Sequence, residues 1–584
     1  MRKGIGVSPG VAVGKAYCIH EVFVKPDGKR LNGNEVAAEL TRFERALKKT
    51  SAELRSLARK VSSQVGSQQA EVFRAHQAIV RDPAFGTKIR NWIGEERQPA
   101  EAALHQVLND YSSLFARTKD AYLKDRLNDV REVILRLSQH LSPMLSTEAP
   151  VDGPIVLVAQ ELLPSQVSVI GRRELAGIVT QGGGATSHAA ILARSRGIPA
   201  VAGVAGMLKQ VKNGDTVVVD GRDGHVIVNP DAETESAYRK LQREFFDLKD
   251  SLAENRDQPA VTADGQPVEL LANINGLEDA RAAVAMGAAG VGLFRTEYLF
   301  LAHPSVPDEE EQFEAYRQIV AASPPGQVTI RTLDLGGDKT IPYLGREREA
   351  NPFMGWRSIR LSFEHPGFFM TQISAILRAA ADQRGRRQVR LLFPMIATLE
   401  EIRRVRSMVH RARRRLEAAG CEVGDVPIGL MLEVPAAAIS IRSLLKVVDF
   451  VSIGSNDLVQ YLMAADRDNP KVSHLCQPLS PAVLRLLAKV IEACGEAKKP
   501  VTLCGEMAGQ PRAFVLLYAM GLRSFSMSPA FIPMIKELAS HLTAERTDRI
   551  YRHAMKLKST AQVLHYMSQQ LDQLAPNLKL MNSA

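Results

Sequence analysis

The sequence of 584 residues predicts a multidomain α/β protein in which a C-terminal (β/α)8 TIM-type barrel follows an α/β domain with an inserted helical bundle. Three observations support this fold class. The length suits several domains of roughly 100–200 residues each. In the first half, a long segment with almost no glycine lies between strand-like runs. From about residue 260 onward, short apolar runs alternate with helical stretches.

The segment 34–143 is predicted to be the helical bundle. Apolar side chains at helical spacing share one face near its end, at Leu123, Leu127, Val130, Ile134 and Leu137. The strand-like run GVAVGKAYCI precedes this segment, and PIVLVA and GIVTQ follow it. The simplest arrangement therefore inserts the bundle into an α/β domain formed by residues 1–33 and 144–230.

The barrel is predicted over residues 259–584, after a charged linker helix at 231–258. Its candidate strands are VELLANI, GVGLF, VTIRTLD, VRLLFPM, IGLMLEV, FVSIGS, VTLCGE and SFSMS. Nearly every run ends in polar or charged residues. Barrel enzymes carry their chemistry at the C-terminal ends of the strands, so this pattern indicates an enzyme.

Composition favours a soluble protein of the reduced cytoplasm. The chain is 45% hydrophobic and 24% charged, which is ordinary for globular proteins. We expect no signal peptide or membrane insertion, because no apolar block follows the first residues and no apolar run approaches ~20 residues. The five cysteines are scattered and form no CxxC pair, which disfavours disulfides and zinc.

The net charge of +10 raises the question of nucleic-acid binding. The most basic stretch, RRVRSMVHRARRRLEAAG, has helical spacing and no interleaved aromatic residues that could stack on bases. We interpret this stretch as a solvated helix face and expect no nucleic-acid partner.

A glycine-rich segment, QGGGATSHAAILARS at residues 181–195, places His188 near the start of a helix that follows a strand. The glycines allow close approach of the backbone to a phosphate, and Thr186 and Ser187 add hydroxyl donors. A helix N-terminus stabilises negative charge and disfavours the imidazolium form, which suits a nucleophilic histidine and its phosphorylated product. His188 is thus the candidate nucleophile.

The segment GGGATSHAAILARSRGIPAV resembles the phosphohistidine segment shared by Enzyme I of the phosphoenolpyruvate:sugar phosphotransferase system, phosphoenolpyruvate synthase and pyruvate phosphate dikinase. One departure is Ala185, because Enzyme I often has arginine immediately before its Thr-Ser-His. That difference removes one cationic contact to the phosphoryl group.

The barrel carries residues suited to an anionic substrate. Arginine and lysine side chains that could bind phosphate and carboxylate occur at Arg295, Arg331, Lys339, Arg357 and Arg467. Glu433 and Asp457 close two successive strands and offer hard oxygen ligands to Mg²⁺, while Asn456 can donate to a phosphate. Cys504, at another strand end, is a candidate proton donor to carbon.

These barrel segments resemble Enzyme I in the same order, and the resemblance runs from GIGVSPGVAVGKA to SFSMSPAFIP. It implies that Arg295, Arg331, Asn456 and Arg467 bind phosphoenolpyruvate with Lys339 and Arg357 beside them. It further implies that Glu433 and Asp457 hold Mg²⁺ and that Cys504 protonates the enolate. The family is homodimeric through its barrel.

The family's partner is a small histidine phosphocarrier protein, which docks on the helical bundle. The corresponding stretch GSQQAEVFRAHQAIVRDP carries Arg74 and Arg81 and few acidic residues, whereas the family's docking face is typically acidic. We therefore expect a partner surface that is less basic than usual. His76 matches a family position and is interpreted as a hydrogen-bonded histidine of the bundle.

Two alternatives stay open at this point. A nucleotide-using synthase or dikinase would need a P-loop or ATP-grasp module, and neither is recognisable in the sequence. A regulatory phosphoprotein of the nitrogen-type phosphotransferase chains would share the first phosphoryl step, so the sequence does not separate it from a sugar-uptake enzyme.

Overall fold

In a computed structural model, the chain forms two compact units. The first comprises residues 1–242 with 583–584, and the second comprises residues 243–582. The described residues are 2–8, 10–19, 30–64, 71–116, 130–131, 133–138, 140–141, 153–160, 175–182, 193, 197–301, 306–336, 349, 351–381, 387–467, 469, 471–576 and 578.

The first unit contains an eight-stranded mixed sheet with the order β1-β8-β7-β3-β4-β5-β6-β2. Its strands are β1 (Arg2–Lys3), β2 (Ile5–Ser8), β3 (Val11–Ile19), β4 (Ile155–Ala159), β5 (Leu175–Thr180), β6 (Ala200–Ala202), β7 (Thr216–Asp220) and β8 (His225–Val228). Strands β3 to β6 run parallel, and β1, β2, β7 and β8 add antiparallel pairs. The central strands are valine-rich and buried, as expected for strands covered on both faces.

The helical bundle is inserted between β3 and β4, which are themselves hydrogen-bonded neighbours. Its helices are α1 (Val36–Gln64), α2 (Glu71–Arg81), α3 (Pro83–Gly94) and α4 (Ala100–Ala116), and residues 130–131, 133–138 and 140–141 are also helical. Val130, Ile134 and Leu137 are buried in the bundle core, whereas Leu123 and Leu127 lie outside the described residues. The inserted arrangement confirms the predicted fold class.

Helix α5 (Ala232–Glu254) follows the sheet, and the boundary between the two units falls within it. A single turn at Asn255–Asp257 ends this helical segment. The ammonium group of Lys536 donates to the carbonyl oxygens of Asn255, Arg256 and Gln258 at 3.3, 2.6 and 2.9 Å. These bonds satisfy acceptors that the end of a helix leaves without intrahelical partners.

The second unit is a closed barrel of eight parallel strands, so all eight predicted strands form. They are β9 (Glu269–Ile274), β10 (Val291–Arg295), β11 (Gly326–Arg331), β12 (Arg387–Phe393), β13 (Ile428–Leu432), β14 (Phe450–Ile453), β15 (Val501–Leu503) and β16 (Ser524–Met527). Each strand pairs with the next, and β16 closes on β9. The (β/α)8 prediction is confirmed.

Helices surround this barrel and cover its apolar outer face. They are α6 (Leu277–Ala285), α7 (Glu297–Leu301), α8 (Glu309–Ala322), α9 (Ile359–Glu364), α10 (Pro366–Ala381), α11 (Leu399–Ala418), α12 (Pro435–Ile439), α13 (Ile441–Leu444), α14 (Ser455–Met463), α15 (Pro481–Glu496), α16 (Pro511–Ala519), α17 (Ile532–Ser540), α18 (Ala544–Ala554) and α19 (Thr560–Leu574). None of the described helices is both long enough and apolar enough to span a membrane.

Helix α11 contains the most basic stretch of the chain. Thr398 and Glu401 form a capping box that starts this helix. The apolar positions Val405, Met408, Val409 and Leu416 are buried against the barrel. The arginines between them lie outside the buried face of the helix, as the amphipathic spacing predicts.

Candidate active site

Arg331 is the last residue of β11, and its buried guanidinium lies at the C-terminal end of the barrel. Its Nη2 is 2.7 Å from Glu297 Oε1, and its Nη1 is 3.0 Å from Asp334 Oδ2. Burial alone would lower the pKa of Arg331, but Glu297, Asp334 and Glu433 raise it above the ordinary value. The side chain therefore stays a cation inside the barrel.

Arg357 is a second buried cation beside the first. Its Nη2 donates to both carboxylate oxygens of Asp334, at 2.9 and 3.0 Å, and its Nη1 donates to the Tyr461 hydroxyl at 3.1 Å. Gly336 has a φ of +117°, and a Cβ there would lie 2.3 Å from that of Arg357. Glycine is thus required for this arginine to pack against the loop that follows β11.

Glu433 follows β13 directly and is buried. Its Oε1 accepts a 2.7 Å hydrogen bond from the backbone N–H of Met395, a residue in the left-handed region with a φ of +56°. A Cβ on Gly454 would lie 2.9 Å from Glu433 Oε2, so this glycine makes room for the carboxylate. Burial raises the pKa of Glu433 to about 8, and repulsion from Asp457 and Asp334 adds to that rise.

Asp457 lies in the first turn of α14, beside Arg357 and close enough to Glu433 to raise the pKa of that carboxyl. Its Oδ2 is 3.6 Å from Arg357 Nη2, and its Oδ1 is 3.5 Å from Nη1 of the exposed Arg467. Within the described part of the chain, the buried Oδ1 accepts no hydrogen bond. A buried carboxylate oxygen in that state is energetically costly unless a further ligand binds it.

Cys504 follows β15 and packs inside the barrel with Leu293, Leu392, Met431 and Phe450. Its Sγ accepts a hydrogen bond from the Ser452 hydroxyl at 3.1 Å, and the thiol lies 3.5 Å from the carbonyl oxygen of Ile453. Burial raises the pKa of the Cys504 thiol, while Ser452 and Arg331 oppose that rise. The thiol is therefore protonated at neutral pH and available as an acid.

Two further predicted residues stand at the same end of the barrel. Arg295 is the half-buried last residue of β10, and its charge acts on the Cys504 thiol. The side-chain oxygen of Asn456 accepts a 3.1 Å hydrogen bond from the backbone N–H of Glu506. That bond leaves the amide NH₂ group of Asn456 able to donate to a ligand.

The predicted residues His188 and Lys339 lie outside the described residues. The structure therefore joins Arg331, Arg357, Asp457 and Arg467 through ion pairs that include Asp334. Glu433 is close enough to Asp457 and both buried arginines for their charges to shift its pKa. Arg295, Asn456 and Cys504 lie at or just after strand ends. Among the described residues, the buried Nε atoms of Arg331 and Arg357 have no hydrogen-bond partner. The arrangement combines donors for an anion, carboxylates for a cation and a neutral acid.

The chain matches three protein-family models, and the candidate site falls within one of them. The models are described as PEP-utilising enzyme, N-terminal, over residues 3–126; PEP-utilising enzyme, mobile domain, over 151–224; and PEP-utilising enzyme, PEP-binding domain, over 249–544. The last range contains every strand of the barrel.

Curated relatives match over almost the whole chain. The phosphoenolpyruvate-protein phosphotransferase of Bacillus sp. (strain S) is 39% identical over 566 residues, which are 97% of this chain and 97% of the relative. The protein of the same name from Staphylococcus carnosus (strain TM300) is 39% identical over 567 residues, with coverage of 96% and 97%. That from Bacillus subtilis (strain 168) is 37% identical over 572 residues, with coverage of 97% and 99%. The chain belongs to the phosphoenolpyruvate-protein phosphotransferase family.

The resemblance to Enzyme I is thereby confirmed, and the membership identifies the chain as an enzyme of this phosphotransferase family. The names of these relatives also favour this description over that of a nitrogen-type regulator.

A divalent cation would fit the carboxylates of this family member. Among the described residues, no three His, Cys, Asp or Glu side chains are grouped as a metal site. Glu433 and Asp457 nevertheless repel each other, which contributes to the raised pKa of Glu433. A cation between them would relieve this repulsion and occupy the unbonded Oδ1 of Asp457.

Glu297, Asp334 and Tyr461 hold the two buried arginines, although no role was predicted for them from the sequence. Glu297 and Asp334 stand just after strand ends, and that position in the sequence could have indicated that they belong to the site. Tyr461 lies four residues after Asp457 in α14, so helical spacing places both side chains on one face.

Proposed function

We propose that the chain transfers a phosphoryl group from phosphoenolpyruvate to His188, releases pyruvate, and passes the group to a small histidine phosphocarrier protein in a sugar-uptake chain. The observation that carries this proposal is the cluster of buried arginines and carboxylates at the C-terminal end of a barrel. That cluster lies within the range matched by the PEP-binding family model. Barrel enzymes bind their substrates at this end.

Phosphoenolpyruvate needs cations for both its phosphate and its carboxylate. Arg331 and Arg357 are preorganised by Glu297 and Asp334, so they keep their positions before the substrate arrives. Around them, Arg295, Arg467, Asn456 and Lys339 are proposed to complete the site. Each buried guanidinium is paired with a carboxylate, so the site holds cations without becoming strongly positive when it is empty.

Glu433 and Asp457 are proposed to hold Mg²⁺, whose remaining positions would be filled by water and substrate oxygens. The bound ion would neutralise charge on the phosphate and offset the repulsion between the two carboxylates. The backbone N–H of Met395 fixes one carboxylate oxygen of Glu433, and Gly454 leaves room for the other, which favours a defined position for this ligand.

Loss of the phosphoryl group leaves pyruvate as its enolate, and Cys504 is proposed to protonate it. A C–H bond forms at the methylene carbon while the S–H bond breaks, and the sulfur keeps that electron pair as a thiolate. The Cys504 thiol is protonated before the reaction, since burial raises its pKa. This state is the one required of a general acid.

His188 is proposed as the nucleophile within a phosphohistidine domain of residues 1–33 and 144–230, joined by a linker helix at 231–258 to a barrel at 259–584. The bundle at 34–143 is proposed to dock the phosphocarrier. His76 is buried in the bundle and Arg81 is exposed, while the Arg74 side chain lies outside the described residues. A homodimer formed through the barrel completes the proposal. We also propose a cytoplasmic location, which is supported by five cysteines that form no disulfide.

The test is incubation of the purified protein with Mg²⁺ and phosphoenolpyruvate labelled on phosphorus, beside the variant His188→Ala. We expect an acid-labile, base-stable label on the wild-type protein and no label on the variant, because phosphohistidine has that stability. The variant His410→Ala, which changes an exposed histidine of α11, serves as the matched control and should keep the label.

Two results would contradict the proposal. Absence of label on the wild-type protein would exclude phosphoenolpyruvate as the donor. Label that persists in His188→Ala would place the phosphoryl group on another residue.

A further inference from the structure

We infer that Ser452 is a positioning residue for the acid Cys504, and that its hydroxyl stabilises the thiolate left after the enolate of pyruvate is protonated. This inference rests on the proposed function, since it assigns the acid step of that reaction to a pair of residues. It adds a residue to which neither the sequence nor the family relationship gave a role.

Ser452 is a buried residue of the barrel interior. It lies on β14, two residues after Phe450, so both side chains point to the barrel interior. The residue is 1% exposed, and its partner Cys504 packs with Leu293, Leu392 and Met431 in the barrel interior. A hydroxyl in such surroundings is costly unless it is hydrogen-bonded.

The hydroxyl of Ser452 donates to Cys504 Sγ at 3.1 Å. The thiol in turn lies 3.5 Å from the carbonyl oxygen of Ile453, the residue after Ser452 on the same strand. Both partners of the thiol thus come from β14, while Asn273 holds the backbone carbonyl of Cys504 with a 2.9 Å bond. Residues of β14 therefore position the sulfur of Cys504, and Asn273 of β9 positions its backbone carbonyl.

The energetic consequence follows from the change in charge on sulfur. A neutral thiol is a weak acceptor, whereas a thiolate accepts a hydrogen bond strongly. The bond from Ser452 therefore strengthens as the proton moves from sulfur to the methylene carbon, and it stabilises the transition state more than the ground state. Its removal should weaken Cys504 as an acid.

Other charges also face the thiol. Arg331 and Arg295 favour the thiolate, and Glu433 disfavours it. These three groups are unchanged by a substitution at Ser452, so a comparison of variants isolates the effect of the Ser452 hydroxyl on the thiol.

The test compares Ser452→Ala with Ser452→Thr, which keeps the hydroxyl, and with Ser374→Ala, a buried serine of α10 that contacts Arg415. Alkylation of Cys504 at pH 8 is followed by peptide mass spectrometry, with the exposed Cys421 as internal reference. Pyruvate formation from phosphoenolpyruvate is measured in H₂O and in D₂O.

We expect Ser452→Ala to slow both the alkylation of Cys504 and the formation of pyruvate by about tenfold, which corresponds to about one unit in the thiol pKa. The solvent isotope effect on pyruvate formation should rise, because proton transfer becomes slower relative to phosphoryl transfer. Ser452→Thr should recover both rates, and Ser374→Ala should match the wild type.

A purely structural role for Ser452 would give the opposite result for alkylation. Loss of packing would open access to the sulfur and speed its alkylation, and that outcome would overturn the inference. Unchanged pyruvate formation in Ser452→Ala would also overturn it. If the wild-type protein formed no pyruvate from phosphoenolpyruvate, the proposed function would fail, and alkylation would still report whether Ser452 acts on the thiol.

Discussion

At the scale of single residues, Asp334 is the group on which the candidate site depends most. It bonds to Arg357 through both carboxylate oxygens and lies 3.0 Å from Arg331. Its backbone N–H donates to Glu297 Oε1, which also holds Arg331. One side chain therefore sets the positions of two buried cations that are proposed to bind the substrate.

We expect Asp334→Asn to lower the stability of the barrel by about 3–5 kcal/mol, since a buried ion pair loses one charge while the cations stay buried. We also expect a higher KM for phosphoenolpyruvate, because both guanidiniums lose their orientation. Urea denaturation and steady-state kinetics measure the two effects.

An exposed ion pair provides the control for Asp334. The Glu278–Arg281 pair on α6 has a similar separation, 2.7 Å, but its side chains are 65% and 62% exposed. Glu278→Gln should therefore change stability by at most about 1 kcal/mol. Equal losses in the two variants would show that burial of the Asp334 pair carries no extra energy.

At the scale of elements, the hairpin of β7 and β8 is closed by an ion pair. Asp220, the last residue of β7, accepts hydrogen bonds from Arg222 Nε at 3.1 Å and Nη2 at 2.8 Å. The backbone N–H groups of Arg222 and Asp223 also donate to it, at 3.1 and 3.3 Å. The carboxylate thus organises the turn that joins the two strands.

The pKa of Asp220 predicts how this hairpin responds to acid. Burial alone would raise this pKa, but the hydrogen bonds and charge of Arg222 bring it below the ordinary value. The unfolded chain, with a pKa of about 3.9 at this position, then takes up the proton first as the pH falls. The stabilisation is complete above that pH and is lost as the pH falls through the lower pKa of the folded state.

We expect Asp220→Asn to destabilise the first unit by about 3 kcal/mol at pH 7 and by less at pH 3. Urea denaturation at the two pH values measures this difference. Asp223→Asn is the matched control, because Asp223 is 55% exposed and 3.7 Å from Arg222. An equal loss of stability in Asp220→Asn at both pH values would mean that the charge of Asp220 has no role in the hairpin.

At the scale of the whole molecule, the chain forms two compact units, and the described residues of the candidate substrate site belong to the second. A ligand that binds a folded unit stabilises that unit by mass action, by about 2.7 kcal/mol at a hundred times its Kd. Phosphoenolpyruvate with Mg²⁺ is therefore expected to raise the unfolding temperature of the barrel alone.

Differential scanning calorimetry of His188→Ala tests this expectation without turnover. We predict two unfolding transitions. Phosphoenolpyruvate with Mg²⁺ should shift the transition of the barrel unit, and Asp220→Asn should shift the transition of the first unit. A shift of both transitions by phosphoenolpyruvate would contradict the assignment of the site to the barrel unit.

The fold class could be predicted from the sequence because each signal was local. The runs that became β9 to β16 are short, apolar and bounded by polar residues, and such a pattern is visible within a few positions of the chain. Arg331, Glu433 and Cys504 could be selected for the same reason, since each follows or ends a strand. The domain boundaries and the roles of the site residues stay predictions.

The partners of these residues could not be predicted, because the contacts join distant parts of the chain. Arg357 meets Tyr461, and Ser452 meets Cys504, only after the barrel has closed. The left-handed backbone of Met395 is likewise set by the packing around Glu433 rather than by the preference of methionine.

The strand order of the first unit has a consequence for synthesis on the ribosome. Strand β3 pairs with β4 and β7, and β1 pairs with β8, although the bundle separates the members of these pairs. Strand β3 therefore waits for its first partner until residue 159 has been made, and β1 waits until residue 228 has been made. At about 5–20 residues per second that delay lasts roughly ten seconds or more. During this interval the bundle, whose contacts are more local, has time to fold while the earliest strands are exposed to chaperones.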